Sequence, residues 1–122
     1  LVVLPGGMPG SETLRTHPKV QTLIKRQHER QGYLAAICAA PMALATSDIL
    51  NGREVTCYPG FESKLQNATV TTARVVSSGT LTTSRSPATA MEFALKLVEQ
   101  LCGSKKAAEV AEQLLFVKPV SP

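Results

Sequence analysis

Residues 33–41 read Tyr-Leu-Ala-Ala-Ile-Cys-Ala-Ala-Pro, and this stretch decides the fold of the chain. Its first six residues form a continuous apolar run, which is typical of a central parallel strand that is covered on both faces. The helical sequence that follows begins at once, with Pro41 in the first turn, where the missing N–H of proline costs no hydrogen bond. A strand therefore meets a helix at Cys38 without a spacer.

The segments on either side repeat this pattern of strand and helix. Residues 1–4 are apolar and run into Pro5-Gly6-Gly7, which predicts a second buried strand followed by a loop that continues to Gly10. The other predicted elements are a helix over 17–31, a short helix over 39–45, a strand over 54–57, one or two helical turns over 61–65, a β-hairpin over 70–84 around Ser78-Gly79, and helices over 87–101 and 105–114.

This order of elements predicts an α/β protein with a doubly wound, mostly parallel sheet and helices on both faces. A chain of 122 residues has room for one domain and no second core. Two or three buried parallel strands are too few to cover such a sheet, and Leu1 already stands inside a strand pattern. We therefore expect residues 1–122 to be the C-terminal part, about two-thirds, of a single domain that lacks its N-terminal strand and helix. The sequence would then be a fragment or a cleaved chain, and a companion N-terminal polypeptide is one way to complete the sheet.

The composition argues against several classes of protein. Apolar residues make up 43% of the chain and charged residues 18%, which does not fit intrinsic disorder, and no apolar run approaches a membrane span. The net charge is +4, but the basic residues are dispersed and aromatic residues reach only 4%, so nucleic acid is not expected as the main partner. Three widely spaced cysteines and two histidines fit neither a disulfide framework nor a metal site. We expect a reducing, cytoplasmic compartment and no membrane association.

Cys38 is the candidate nucleophile. A residue at a sharp strand-to-helix junction projects its side chain above the carboxyl edge of the sheet, where open α/β sheets bind ligands. The N–H groups at the start of the following helix favour a thiolate over a thiol. Ala36, Ala39 and Ala40 leave space around the junction. The alternative is that Cys38 is a small buried apolar residue, as many unpaired cysteines are.

Gly6 and Gly7 form the second part of the candidate site. They follow a neighbouring strand, and glycine lets a backbone N–H approach a ligand closely. Together with the amide of Ala39 or Cys38, these N–H groups would form an oxyanion hole. A double glycine after a strand also fits a simple turn, so the prediction depends on the two loops lying together.

Three motifs of the chain resemble the ThiJ/PfpI superfamily, and they occur in the same order and spacing over essentially all of its length. The resemblance is closest to the DJ-one branch, that of the parkinsonism-associated deglycase and chaperone. It implies a flavodoxin-like homodimer with a nucleophilic, easily oxidised cysteine and no cofactor. The motifs are Leu4-Pro5-Gly6-Gly7, Ala35-Ala36-Ile37-Cys38-Ala39, and Thr83-Ser84-Arg85-Ser86-Pro87-Ala88-Thr89 with Glu92-Phe93-Ala94.

The resemblance also assigns roles to individual residues. It implies Cys38 as nucleophile and oxidation sensor, Gly7 and Ala39 as amide donors, and Arg85 and Pro87 near the pocket mouth and the dimer contact. Two departures stand beside this assignment, and both concern the acid or base that works with the cysteine. Tyr58 stands where the family commonly has a histidine, and a phenol is a poor base near neutral pH. The glutamate that the family places beside the cysteine comes from a helix that this sequence does not contain. Gly6 and Tyr58 complete the expected pocket.

The function implied by the resemblance is that of a cofactor-independent glyoxalase or deglycase, with Cys38 attacking methylglyoxal or its adducts with protein and nucleotide and so protecting against oxidative stress. The first alternative is a redox-sensing chaperone in which Cys38 is oxidised instead of turning over substrate. The second alternative is a cysteine peptidase or amidase, which needs a histidine base that the sequence does not offer.

Overall fold

The computed structural model describes residues 1–118, and these are built around a four-stranded sheet. The strands in chain order are β1 (Val2–Leu4), β2 (Leu34–Ile37), β3 (Glu54–Thr56), β4 (Thr69–Thr71), β5 (Val75–Ser78) and β6 (Leu81–Ser84). The main sheet has the order β1-β2-β6-β5, in which β1, β2 and β6 are parallel and β5 is antiparallel to β6. The predicted mostly parallel α/β sheet is confirmed.

The helices of the described residues are α1 (Gly10–Thr16), α2 (Pro18–Glu29), α3 (Ala90–Cys102) and α4 (Ser104–Gln113), and short 3₁₀ helices cover Ala40–Leu44, Asp48–Leu50, Glu62–Lys64 and Pro87–Thr89. The helices predicted over 17–31, 87–101 and 105–114 are confirmed, with ends that differ by a few residues. In the part of the chain that the structure describes, no helix has the length and apolar character needed to cross a membrane.

Alternating side chains of β2 divide the core into two layers. Leu34 and Ala36 belong to a cluster that includes Ile24 of α2, whereas Ala35 packs with Phe93 of α3 on the opposite face. Successive side chains of a strand point to opposite faces, so one short apolar strand serves both layers. Each large apolar side chain buried in this way contributes roughly 1.5–3 kcal/mol. Helices therefore cover both faces of β2, as the sequence predicts.

The structure adds a helix between the predicted loop, which ends at Gly10, and the helix predicted from residue 17. Helix α1 begins at Gly10, within the segment expected to be a loop, and it ends at Thr16. The ring of His17 then accepts a hydrogen bond from the N–H of Lys19 and caps α2. Helix α1 is thus additional to the predicted helix, and its seven residues hold too few apolar positions to give a periodic signal.

The segment after Cys38 also differs from the expected helix over 39–45. It forms a 3₁₀ helix over Ala40–Leu44, in which all five side chains are buried. The N–H of Met42 donates to the carbonyl of Ala39, three residues back, and Pro41 has no N–H to donate. The strand-to-helix junction is confirmed, but the helix is shorter and more tightly wound than expected.

The predicted hairpin over 70–84 is confirmed only in its second half. Strands β5 and β6 pair antiparallel around Gly79, which has a φ of +62°. Strand β4, over Thr69–Thr71, pairs instead with β3 in a separate parallel sheet. The Oγ1 of Thr83 accepts a hydrogen bond from the N–H of Thr56 at 3.0 Å and so ties this second sheet to the first.

Candidate functional site

Cys38 occupies the sharp turn between β2 and the 3₁₀ helix. Its φ is +66°, a left-handed conformation that residues other than glycine rarely adopt. Its N–H donates to the carbonyl of Ser84 at 2.9 Å, and its carbonyl accepts from the N–H of Tyr58 at 2.9 Å. Such backbone strain costs about 1–3 kcal/mol and clusters at functional sites. Both backbone polar groups are fixed, and the half-buried side chain stands at the carboxyl edge of the sheet.

Gly6 lies directly against Cys38. A β-carbon added at Gly6 would stand 2.7 Å from the Cβ of Cys38 and 2.9 Å from the carbonyl oxygen of Ile37. Carbon atoms do not approach one another this closely, so only glycine fits without displacing the junction. The structure thus brings together the two loops on which the predicted site depends.

Several backbone N–H groups in these loops donate no hydrogen bond within residues 1–118, among them those of Gly7 and Ala39. Within residues 1–118, neither the N–H of Gly7 nor that of Ala39 donates a hydrogen bond, whereas the N–H of Cys38 is taken by Ser84. Ala39 is buried, and a buried N–H without a partner is rare in folded proteins. Gly7 adopts a φ of +92°, so glycine is required there by backbone conformation. The arrangement favours Ala39 over Cys38 as the second amide of an oxyanion hole.

Cys57 and Tyr58 approach the site from the loop after β3. The side chain of Tyr58 is exposed, and its N–H holds the carbonyl of Cys38. Cys57 is 1% exposed, and burial raises the pKa of its thiol to about 11. The charge of Glu62 raises this pKa further, whereas Arg85 opposes the shift. Cys57 therefore stays protonated at neutral pH.

Glu62 is a residue near the site that sequence reasoning missed. Its carboxylate accepts a hydrogen bond from the N–H of Gly60 at 2.8 Å. Hydrogen bonds from its own N–H and from Gly60 lower the pKa of this carboxyl, and the nearby charge of Arg85 lowers it further. The Pro59-Gly60 turn, followed two residues later by an acidic side chain, is the sequence signal that was available.

A network of buried hydroxyl groups holds Ser84, whose carbonyl accepts the hydrogen bond from the N–H of Cys38. The Oγ of Ser84 lies 2.6 Å from the Oγ1 of Thr89 and donates to the carbonyl of Arg74 at 3.0 Å. The Oγ1 of Thr89 also accepts from the N–H of Ser86. Sequence reasoning gave neither hydroxyl a role, because both act on Cys38 only through the folded backbone.

The remaining predicted site residues, Arg85 and Pro87, lie between Ser84 and Thr89. Arg85 is half-buried directly after β6, and Pro87 is exposed at the start of its 3₁₀ helix. The two histidines are His17, which caps α2, and His28 near its end. Among residues 1–118, no three His, Cys, Asp or Glu side chains are grouped so that they would hold a metal ion.

Comparison with known proteins adds to this geometry. A model of the DJ-1/PfpI family matches residues 1–100. Protein DJ-1 homolog B of Arabidopsis thaliana is 45% identical over 118 residues, which cover 95% of this chain and 27% of that protein. The glutathione-independent glyoxalase DJR-1.2 of Caenorhabditis elegans is 36% identical over 120 residues, which cover 97% of this chain and 63% of that protein. The crystal structure of Drosophila melanogaster DJ-1beta matches with a TM-score of 0.91 and 43% identity, over 96% of this chain and 64% of that one. The chain thus spans less than two thirds of the length of these relatives.

Proposed function

The chain belongs to the DJ-1/PfpI family, and we propose that it is a cofactor-independent thiol enzyme that converts methylglyoxal to lactate or removes methylglyoxal from protein and nucleotide adducts. The observation that carries this proposal is the contact between Cys38 and Gly6, with the unpaired N–H groups of Gly7 and Ala39 in the same two loops. One relative, at 36% identity, is named a glutathione-independent glyoxalase, which supports the class of reaction.

The reaction begins at the sulfur of Cys38. The thiolate adds to the aldehyde carbon, and the carbonyl electron pair moves to oxygen as the C–S bond forms. The N–H groups of Gly7 and Ala39 donate to this oxyanion, and in a water-excluded site such donors lower the barrier more than they would in water. A proton then moves from the aldehyde carbon to the adjacent carbon, which gives a thioester of the hydroxy acid. Water cleaves the thioester, releases lactate and restores the thiol.

The test is the conversion of methylglyoxal to lactate by the intact protein and by its Cys38→Ala variant. We expect the variant to lose activity by at least about a hundredfold, because the nucleophile is removed. Cys102→Ala is the matched control, since Cys102 is exposed at the end of α3, remote in sequence from the two loops. Equal lactate production by the protein and its Cys38→Ala variant would refute the proposal.

A second function is favoured by the contrast in burial between the two cysteines of this region. Cys38 is half-buried and Cys57 is 1% exposed, so an oxidant reaches Cys38 more readily. We propose redox sensing, with a chaperone output, as this alternative. Mass spectrometry after mild peroxide treatment tests it: a selective gain of two oxygens at Cys38 is expected, and equal oxidation of Cys57 and Cys102 would contradict it. Peptidase activity has no comparable support, because Tyr58 stands at the position where the family commonly has histidine.

We also propose a strand partner, a homodimer and a reducing compartment for the protein. Val3 is 42% exposed on β1, which is an edge strand of the main sheet, and exposed edge strands pair readily with further chain. We propose that a further N-terminal strand, on this or a companion polypeptide, pairs with β1, and that the complete domain forms a homodimer. Three unpaired cysteines suit a reducing compartment such as the cytoplasm. Sedimentation of the intact protein tests the dimer, and cell fractionation tests the compartment.

A further inference from the structure

Arg85 and Cys38 are neighbouring backbone positions at the ends of two paired strands, β6 and β2. Arg85 directly follows Ser84, whose carbonyl accepts the hydrogen bond from the N–H of Cys38. Its own N–H donates to the carbonyl of Arg74 at 3.1 Å, which fixes the backbone at this point. Because β2 and β6 are parallel neighbours, Arg85 and Cys38 leave the sheet at the same edge. The backbone of Arg85 is therefore fixed next to the junction that carries the sulfur.

The charge of Arg85 is not used by a partner in the described part of the chain. Its guanidinium makes no hydrogen bond or ion pair with any group of residues 1–118, whereas Arg74 is paired with Glu92 at 2.6 Å. The positive charge nevertheless lowers the pKa of Glu62 and opposes the rise in the pKa of Cys57, so it lies near the loop after β3. The same loop contacts Cys38 through the N–H of Tyr58. A half-buried guanidinium with its N–H donors free fits a planar anion such as a carboxylate, or a phosphate.

Arg85 also lines a cleft of about 1080 Å³ between β5, α3 and α4. The lining also includes Lys96 and the acidic residues Glu92 and Glu99. Cys38 is not part of the lining, whereas Arg85 belongs to it and adjoins Cys38 along the backbone of the sheet edge. A three-carbon dicarbonyl occupies only a small part of such a volume, whereas a nucleotide or an amino acid that carries the dicarbonyl fits.

We propose that Arg85 is an anion-recognition residue of the thiol site, and that its guanidinium binds a carboxylate or phosphate group of the molecule that carries the dicarbonyl. This inference rests on the proposed function for the identity of the reaction, but not for the binding of the anion. It names the preferred substrates as adducts on anionic carriers. Methylglyoxal itself is neutral and has no group for Arg85 to bind.

Two alkylating reagents test the inference without any turnover. Iodoacetate and iodoacetamide attack the same thiol, but only iodoacetate is an anion. We expect Arg85→Gln to lower the ratio of the iodoacetate rate to the iodoacetamide rate at Cys38 by roughly tenfold, since one charge-assisted contact is lost. Arg85→Lys should keep part of the ratio, because it keeps the charge and loses the planar fork. Arg26→Gln is the matched control, since it removes the same charge from α2.

Competition distinguishes the two sources of the anion. Inorganic phosphate and acetate are added separately, at constant ionic strength, to the iodoacetate reaction of the unmodified protein. Stronger protection by phosphate indicates nucleotide carriers, and stronger protection by acetate indicates amino-acid carriers. Absence of protection by either anion would contradict the inference.

An unchanged ratio in Arg85→Gln would overturn the inference, and so would an equal slowing of both reagents, which would mean that Arg85 acts on the thiol alone. If the protein does not convert methylglyoxal but the ratio falls as expected, the proposed function fails and anion recognition stands. If both hold, the Arg85→Gln variant should lose more kcat/KM on a nucleotide adduct than on free methylglyoxal.

Discussion

Cys38 and Cys57 each follow the end of a strand, and one backbone hydrogen bond joins the two segments. The surroundings of the two thiols nevertheless differ. The N–H of Tyr58, the residue after Cys57, donates to the carbonyl of Cys38 at 2.9 Å. Cys38 adopts a φ of +66°, is half-buried and lies against Gly6. Cys57 is buried in the apolar cluster beneath the sheet edge, and burial raises its pKa to about 11.

The contrast shows that backbone position, and not residue type, separates a candidate nucleophile from a packed thiol. Cys38 is placed where a strand turns at once into a helix, so the left-handed turn lifts its side chain towards the edge of the sheet. Cys57 directly follows the end of β3, and its side chain points into the core. Each prediction below changes one of these two environments and leaves the other intact.

The largest effect is expected from Gly6→Ala. The added methyl group would overlap Cys38 and the carbonyl of Ile37, and it would displace the junction. We expect a loss of about 1–3 kcal/mol in the free energy of unfolding and roughly a hundredfold loss of methylglyoxal turnover. Gly10→Ala is the control, because no atom lies within 4 Å of the added carbon. Equal behaviour of the two variants in denaturation and lactate assays would show that the Gly6 contact with Cys38 is unimportant.

Alkaline pH should reveal the buried thiol. The folded protein holds the proton of Cys57 more tightly than the unfolded chain, whose thiol has its ordinary pKa near 9.0. This contribution to stability is complete below about pH 9 and declines as the pH rises towards about 11. Urea unfolding at pH 8 and pH 10.5 should show a larger decrease in midpoint for the protein than for its Cys57→Ala variant. The account of Cys57 fails if both midpoints shift equally.

A smaller effect is expected from Thr89→Val, which removes one hydroxyl group from the network that holds Ser84. The buried Oγ of Ser84 loses one of its two partners, and we expect a loss of about 1–2 kcal/mol in stability. Because the Ser84 carbonyl accepts the hydrogen bond from the N–H of Cys38, the rate of alkylation of Cys38 should change, while Cys57 stays protected from alkylation. Thr89→Ser keeps the hydroxyl group and should behave like the unmodified protein. A Thr89→Ser variant as perturbed as Thr89→Val would assign the effect to lost packing.

The elements that the sequence predicts well are those with long or unmixed apolar patterns. Strand β2 is a continuous apolar run, α3 has 13 residues of amphipathic sequence, and the double glycine marks a loop. The resemblance to the ThiJ/PfpI superfamily is confirmed by the match to the DJ-1/PfpI family model. Cys38 and Gly6 could be placed together because parallel neighbouring strands end at the same edge of a sheet.

The elements that it does not predict depend on contacts between distant parts of the chain. Helix α1 has seven residues and packs on the 3₁₀ helix after Cys38, and β4, which falls within the predicted hairpin, pairs with β3 instead. The same holds for the candidate site. Thr89 reaches the neighbourhood of Cys38 through the fold, and its position along the chain carries no sign of it. Glu62 is marked in the sequence only as an acidic residue after the Pro59-Gly60 turn. Local sequence patterns therefore predict Cys38 and the glycine loop, whereas the residues that hold them in place are determined by tertiary structure.

The central claim is that Cys38 is the reactive thiol of this chain, and the rates of alkylation of its three cysteines at pH 7 test it most directly. Brief treatment of the folded protein with iodoacetamide, followed by peptide mass spectrometry, gives all three rates in one sample. Cys102 is more exposed than Cys38 but ends α3, whereas Cys38 has the left-handed turn and the contact with Gly6. We expect Cys38 to react at least about tenfold faster than Cys102, and Cys57 to remain unmodified. A Cys38 that reacts more slowly than Cys102 would contradict the account.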